Sequence, residues 1–264
     1  MNRKTSISGY QYFCMIFLFE IGSTSLVGIT PGVKQDAWIS LIISIFIGCM
    51  VFFVQIKLFE IFPEYPLTKY VQFILGKYAG KILAMIYIIF FIYIAGRILR
   101  DLEDLLTMTL FTASSLISIG ILMLLVVIYG LFKGIETFAR TIEFLFLFLI
   151  MFILLIFGFE FISNVYQINN LRPVLENGWE PVIKAIFPLG IMFPFGEIIT
   201  FTMILPHLHK KETAFKVSMP AMFFLGLVLC GGFIKLSIYA FCAVSGAADI
   251  FNVKNIFNLS NHIN

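Results

Sequence analysis

Two acidic residues stand inside apolar stretches of this chain, each beside residues that disturb a helix. Glu197 ends the string Phe193-Pro194-Phe195-Gly196-Glu197, and Glu20 opens Glu20-Ile21-Gly22-Ser23-Thr24-Ser25. A carboxyl so placed can hold an ammonium group or carry a proton. Pro188, Gly190 and Pro206 add further interruptions around Glu197. Each proline lacks an N–H and clashes with the carbonyl four residues back, so Pro194 frees the carbonyl of Gly190 and Pro188 that of Lys184. Helices restarting near Ser25 and near Gly196-Glu197 offer N–H groups and a positive dipole end, which suit a carboxylate. Carbonyls for an ammonium beside N–H groups for a carboxylate would make a receptor for a zwitterion. On this reading Gly22, Ser23, Thr24 and Ser25 supply N–H and hydroxyl groups. Phe195, Gly196 and Glu197 supply the opposing wall, and Phe193 and Tyr93 are apolar lids. The competing reading is that glycine and proline merely kink membrane helices, that Glu197 neutralises a helix start, and that Glu20 pairs with a cation such as Lys184 or Lys235.

A second group of charges lies in RILRDLED. Arg97, Arg100, Asp101 and Asp104 fall at i, i+3, i+4 and i+7, hence on one helix face, with Glu103 beside them and Tyr93 one turn earlier. Arg97 with Asp101, and Arg100 with Asp104, can pair at i,i+4. They line either a wet vestibule, with Arg97 and Asp101 as ion or proton groups together with Glu20, or a self-neutralised helix near the outer surface. Arg140 and Glu143 can pair at i,i+3. Hydrolytic apparatus is missing: no HExxH, nucleophile elbow or P-loop string occurs. His207 and His209 sit in the basic loop HLHKK without a third ligand nearby, and His262 is in the tail. No catalytic residue, metal site or cofactor is expected, and the chain is not read as an enzyme.

These residues need a membrane to be positioned in. Of the 264 residues 60% are hydrophobic, 17% aromatic and 12% charged, against about a quarter charged in a soluble domain, and the mean hydropathy is +1.00. The net charge of +3 is too small and scattered for nucleic acid. Cys14, Cys49, Cys230 and Cys242 lie in apolar runs and read as packing residues. A spanning helix needs about 20 apolar residues, and seven candidates cover 9–31, 37–62, 82–110, 116–132, 138–161, 181–206 and 217–245. The fold class is therefore all-α, a polytopic helix bundle. The basic start MNRK before an apolar run imitates a signal peptide, but the run is long, contains Glu20 and lacks a cleavage pattern; it reads as a retained first span.

Orientation follows from Lys and Arg in the connections. With the N-terminus inside, the inner segments carry Arg3, Lys4, Lys57, Lys69, Lys77, Lys81, Lys133, Arg140, Lys210, Lys211 and Lys216, and the outer ones only Lys34, Arg172 and Lys254. A short helix on the inner surface is expected within PEYPLTKYVQFILGKYAGK. A lysine in a seventh span, Lys235, invites comparison with retinal-binding bundles. Those resemble proteins with the N-terminus outside, and the sixth span here is too broken. Interruptions in the first and sixth spans instead match an inverted-repeat transporter design with five helices per repeat.

The strings IGSTSLVGITPGVKQDAWIS (21–40), PLTKYVQFILGKYAG (66–80), YGLFKGIETFAR (129–140), NLRPVLENGWEPVIKA (170–185) and FPFGEIITFTMILPHL (193–208) resemble the B-subunit of endospore germinant receptors. That family is part of the amino acid–polyamine–organocation transporter superfamily. The resemblance covers about residues 5–245, with FPFGE and DAWIS its most specific parts. It implies a membrane domain over 1–248 in the spore inner membrane, binding a small germinant, often an amino acid, and working with A- and C-type partner subunits. Members resemble ten-helix proteins, whereas seven spans are counted here. The Asn-rich tail 249–264 does not look like the family's continuation. The second repeat is then incomplete, and a shortened copy, inactive or dependent on partners, is expected. The alternative function is a proton- or Na⁺-coupled amino acid transporter.

Overall fold

The computed structural model describes residues 6–27, 36–111, 115–162, 174–175, 178–191, 195–226 and 228–229. Helices α1 (Gly9–Val27), α2 (Ala37–Ile61), α3 (Leu67–Leu75), α4 (Lys77–Thr109), α5 (Leu116–Lys133) and α6 (Ile135–Ile162) follow in order. Then come α7 (Glu180–Ala185), a wide turn over Ile186–Gly190, a 3₁₀ helix over Phe195–Met203 and α8 (Ala214–Gly226). This is an all-α bundle. Helices α2, α4, α5 and α6 are each long and apolar enough to cross a membrane by length and composition. The predicted spans 37–62, 82–110, 116–132 and 138–161 coincide with them, and α3 is the short helix expected after the second span.

Two glycines set the boundaries that the apolar pattern blurs. Gly76 (φ +81) separates α3 from α4, and Gly134 (φ +83) separates α5 from α6. A side chain resists that left-handed conformation, whereas glycine adopts it freely, so the chain turns there without a long loop. Consequently α4 begins at Lys77 and α6 at Ile135, five and three residues before the expected span starts. The added turns carry Lys77, Lys81 and Glu136.

The core is built by α1, α2, the 3₁₀ helix and α8, with the inward side of α6. Tyr12, Ile16 and Phe17 of α1 pack with Leu41, Phe52, Ile56 and Phe59 of α2, Ala139 and Phe146 of α6, Phe195, Ile198 and Phe201, and Met222 and Leu225 of α8. Cys14 is buried among them, and Cys14 and Cys49 are free thiols. Helices α4 and α5 lie outside this core and expose Ile82, Ile86, Ile89, Leu122 and Val126, among others. In a bilayer such faces meet acyl chains at no hydrophobic cost.

Polar contacts identify which ends of the elements lie together. Ile7 N donates to the His207 carbonyl and His209 N to the Ile7 carbonyl, both at 2.9 Å, so the residues before α1 pair in parallel with the loop after the 3₁₀ helix. Ser6 N donates to Glu136 Oε1 at the start of α6 (2.9 Å), and Lys211 pairs with Glu64 in the loop after α2. The starts of α1 and α6 and the ends of α2 and the 3₁₀ helix therefore share one end of the bundle. At the opposite end, Leu175 N donates to Asp36 Oδ1 (2.8 Å), tying the segment before α7 to the start of α2.

The two spans expected to be irregular differ. The sixth is broken as expected: α7 stops at Ala185, Phe187 is extended (φ −119°, ψ 128°), and the chain resumes as 3₁₀ at Phe195. The first does not unwind at Glu20–Ser25, because α1 remains helical through Val27. One glycine costs only about 1 kcal/mol in a helix, and serine and threonine are tolerated there, so Gly22-Ser23-Thr24-Ser25 is too weak a signal to break a helix that tertiary packing holds. Residues 28–35, which include Pro31 and Gly32, lie outside the described residues, as do Phe193, Pro194, Lys235 and the tail.

Candidate functional site

A 3₁₀ helix stacks residues three apart above one another, and Phe195, Ile198 and Phe201 form such a buried ridge. The ridge meets α1 through rings: Phe19 and Tyr12 pack edge-on to Phe201, with centroids 5.2 and 5.7 Å away. Tyr12 OH points to the Phe201 carbonyl at 3.4 Å. This packing brings the two intramembrane acids into one interface. Glu20 is fully buried, Glu197 is 3% exposed, and the two carboxyls interact electrostatically across it.

The other wall is α2. Its residues Ser40, Ser44 and Gly48, four apart, form a stripe of small side chains on the buried face. Such a stripe lets neighbouring backbone approach closely. A Cβ added to Gly48 would stand 2.5 Å from Cβ of Phe195, and one added to Gly190 would stand 2.5 Å from Ser44 Oγ. Both sides of the break in the sixth span are thus seated on α2. The spacing Ser-xxx-Ser-xxx-Gly in the sequence carries this wall, but small residues are so common in membrane helices that the spacing alone does not single it out.

Of the residues proposed for ligand contact, the fold gathers Phe195, Gly196 and Glu197, with Glu20 opposite. Gly22 is exposed, with open space where a Cβ would be. Ser23, Thr24 and Ser25 continue α1 in backbone, their side chains lying outside the described residues, as does all of Phe193. Tyr93 is 66% exposed on α4, away from the buried acids. The α4 charges pair along their own helix: Arg97 with Asp101 (3.8 Å), and Arg100 with Glu103 (3.6 Å) and Asp104 (3.3 Å).

Two expected ion pairs are replaced. Lys184 does not reach Glu20; it binds Glu180 one turn back at 2.7 Å on the exposed side of α7, where it holds the Glu180 carboxyl below the usual range. An i,i+4 pair on one helix is simply closer than a partner across the bundle. Glu143, expected to pair with Arg140, accepts from Gln11 Nε2 of α1 at 3.0 Å. Among the described residues no three His, Cys, Asp or Glu side chains gather as metal ligands.

Residues 6–231 match the family described as spore germination protein. The chain belongs to that family. This spore germination protein is 31% identical to spore germination protein KB of Bacillus subtilis over 96% of its own length and 80% of that relative. It is 29% identical to spore germination protein A2 of B. subtilis (71% of this chain, 50% of the relative) and 26% identical to spore germination protein XB of Bacillus anthracis (83% and 61%). It therefore spans four-fifths of the first relative and between half and two-thirds of the other two. The alignment with the KB protein runs over 304 positions against 264 residues here, so at least 40 of them have no counterpart in this chain. No solved structure matches. Family membership and the four long apolar helices among the described residues make it a membrane protein of spore germination, and the membrane subunit of a germinant receptor is the role that this family fits.

Proposed function

We propose that this spore germination protein binds a small amino acid germinant between α1 and the 3₁₀ helix, and that binding is read by A- and C-type partner subunits in the spore inner membrane. The observation that carries the reading is the pair Glu20 and Glu197, two carboxyls buried where α1 meets the 3₁₀ helix within a largely apolar core. An ionisable side chain at the centre of a membrane helix costs about 2.5–3.5 kcal/mol on insertion scales. Two in one interface are a standing expense unless they serve a ligand or a proton. A ligand ammonium would be drawn to these acids, and its carboxylate to the N–H groups opening the 3₁₀ helix at Phe195-Gly196-Glu197. For signalling, the ligand must favour one of two conformations by differential affinity. The break at Phe187 and the 3₁₀ helix, whose hydrogen bonds are poorer than those of an α-helix, supply a segment able to change. The basic residues at the Ile7–Leu208 end support an inward N-terminus.

The test is germination of spores carrying Glu197→Gln in place of the wild-type chain. The half-maximal concentration of an activating amino acid should rise at least tenfold at an unchanged amount of protein in the membrane; an unchanged dose response would refute the site. Paired buried acids also favour a second reading, a proton-coupled amino acid transporter. Purified protein in liposomes separates the two, since accumulation of labelled amino acid driven by a pH gradient supports transport, whereas binding without flux supports the sensor.

A further inference from the structure

Ser44 lies on the face of α2 that receives the broken span. It is 1% exposed, and its Oγ has no hydrogen-bond partner among the described residues. A serine within a helix ordinarily donates to a carbonyl three or four residues back, as Ser40 does to Ala37 (2.8 Å). Ser44, one turn later on the same stripe, makes no such bond. Its oxygen instead lies against Gly190, on the side where a Cβ would also come within 2.9 Å of the Ala185 carbonyl. Ser44 Oγ, from α2, and the Ala185 carbonyl, which opens the wide turn 186–190, thus border Gly190 on the same side. One α-helical turn further along α2 is Gly48, the seat of Phe195, two residues from Glu197.

A buried hydroxyl without a partner is unfavourable, which is understandable where a second state provides the missing bond. The surroundings indicate the chemistry of that partner. The end of a helical segment presents carbonyls and the negative end of its dipole, which attract a cation. Ser44 Oγ adds acceptor lone pairs. An ammonium carries three donors, more than one carboxylate uses. We propose that Ser44 is a ligand contact, its Oγ accepting an N–H from the ammonium group of the bound amino acid beside Gly190. The assignment rests on the reading that an amino acid binds against Glu197.

Spores carrying Ser44→Ala, Ser44→Cys or Glu197→Gln in place of the wild-type chain are exposed to the proteinogenic L-amino acids and to their N-acetyl derivatives, with the amount of each variant in the membrane measured in parallel. Ser44→Ala should raise the half-maximal concentration of every amino acid active on wild type at least tenfold with the same plateau. Ser44→Cys, similar in size but a weaker acceptor, should fall between; it decides the matter should the alanine variant not accumulate. N-acetyl forms, which lack the ammonium, should be inactive. An unchanged dose response for the Ser44 variants alongside a shift for Glu197→Gln overturns the Ser44 contact and leaves the site standing. N-acetyl forms as active as the free amino acids overturn the ammonium assignment. No response shift in any variant, or no active amino acid on wild type, overturns the underlying binding reading as well.

Discussion

Gly48 and Phe195 touch where no side chain could fit on α2. Replacing Gly48 by leucine would force the Phe195 ring and the start of the 3₁₀ helix off their seat. Overpacking of this kind costs about 1–3 kcal/mol; Gly48→Leu should lower the unfolding temperature in detergent, whereas Gly96→Leu, with open space around that glycine, should not. Glu20 and Glu197 should behave as one unit. In a double-mutant cycle of Glu20→Gln and Glu197→Gln, the effects on half-maximal germinant concentration should be non-additive, as expected for groups that act on one ligand across one interface; simple additivity would separate them. At this scale the sequence singles out the two acids that the fold buries together, since a carboxyl within an apolar run is conspicuous. It was silent on their companions: Ser44 and Gly48 look like ordinary small residues of a membrane helix until the element seated on them is known. Tyr93 and the α4 charges shared spacing with the site without sharing its location, because one helix face says nothing about which neighbour it meets.

The elements nearest the buried acids are joined at one end by backbone pairing. Ile7 donates to His207 and accepts from His209, so the start of α1 and the exit of the 3₁₀ helix move as a pair. Ile7→Pro removes the donor to His207 and should loosen that end; a cysteine placed at Ser8 should then react faster with a membrane-impermeant thiol reagent than in the Ile7 parent. Helix boundaries were readable where punctuation and apolar runs agreed, as for α2 and α5. The two differ where a helix continues past its apolar part, as at Lys77, since lysine propagates a helix well and only Gly76 stops it. The break in the sixth span was legible because proline removes a hydrogen bond outright. The expected break in the first was not realised within α1, because glycine and serine only weaken a helix whose tertiary contacts are intact.

For the whole molecule, the shared end of α1, α2, α6 and the 3₁₀ helix predicts labelling by side. Cysteines at Lys81 and Lys210 should be protected from an external impermeant reagent, and those at Ser115 and Trp179 should react; the reverse pattern would invert the proposed orientation. Helix α4 adds a constraint of depth. Only 82–96, fifteen residues, separate Lys81 from Arg97, and at 1.5 Å each they span about 22 Å, short of the roughly 30 Å of hydrocarbon in a typical bilayer. With Arg97 placed at the headgroups, lipids beside this helix compress, or the long stems of Lys81 and Arg97 stretch to the phosphates. Either way the subunit carries its own preference for acyl-chain length, and thinner lipid should suit it better than thick, sterol-like surroundings.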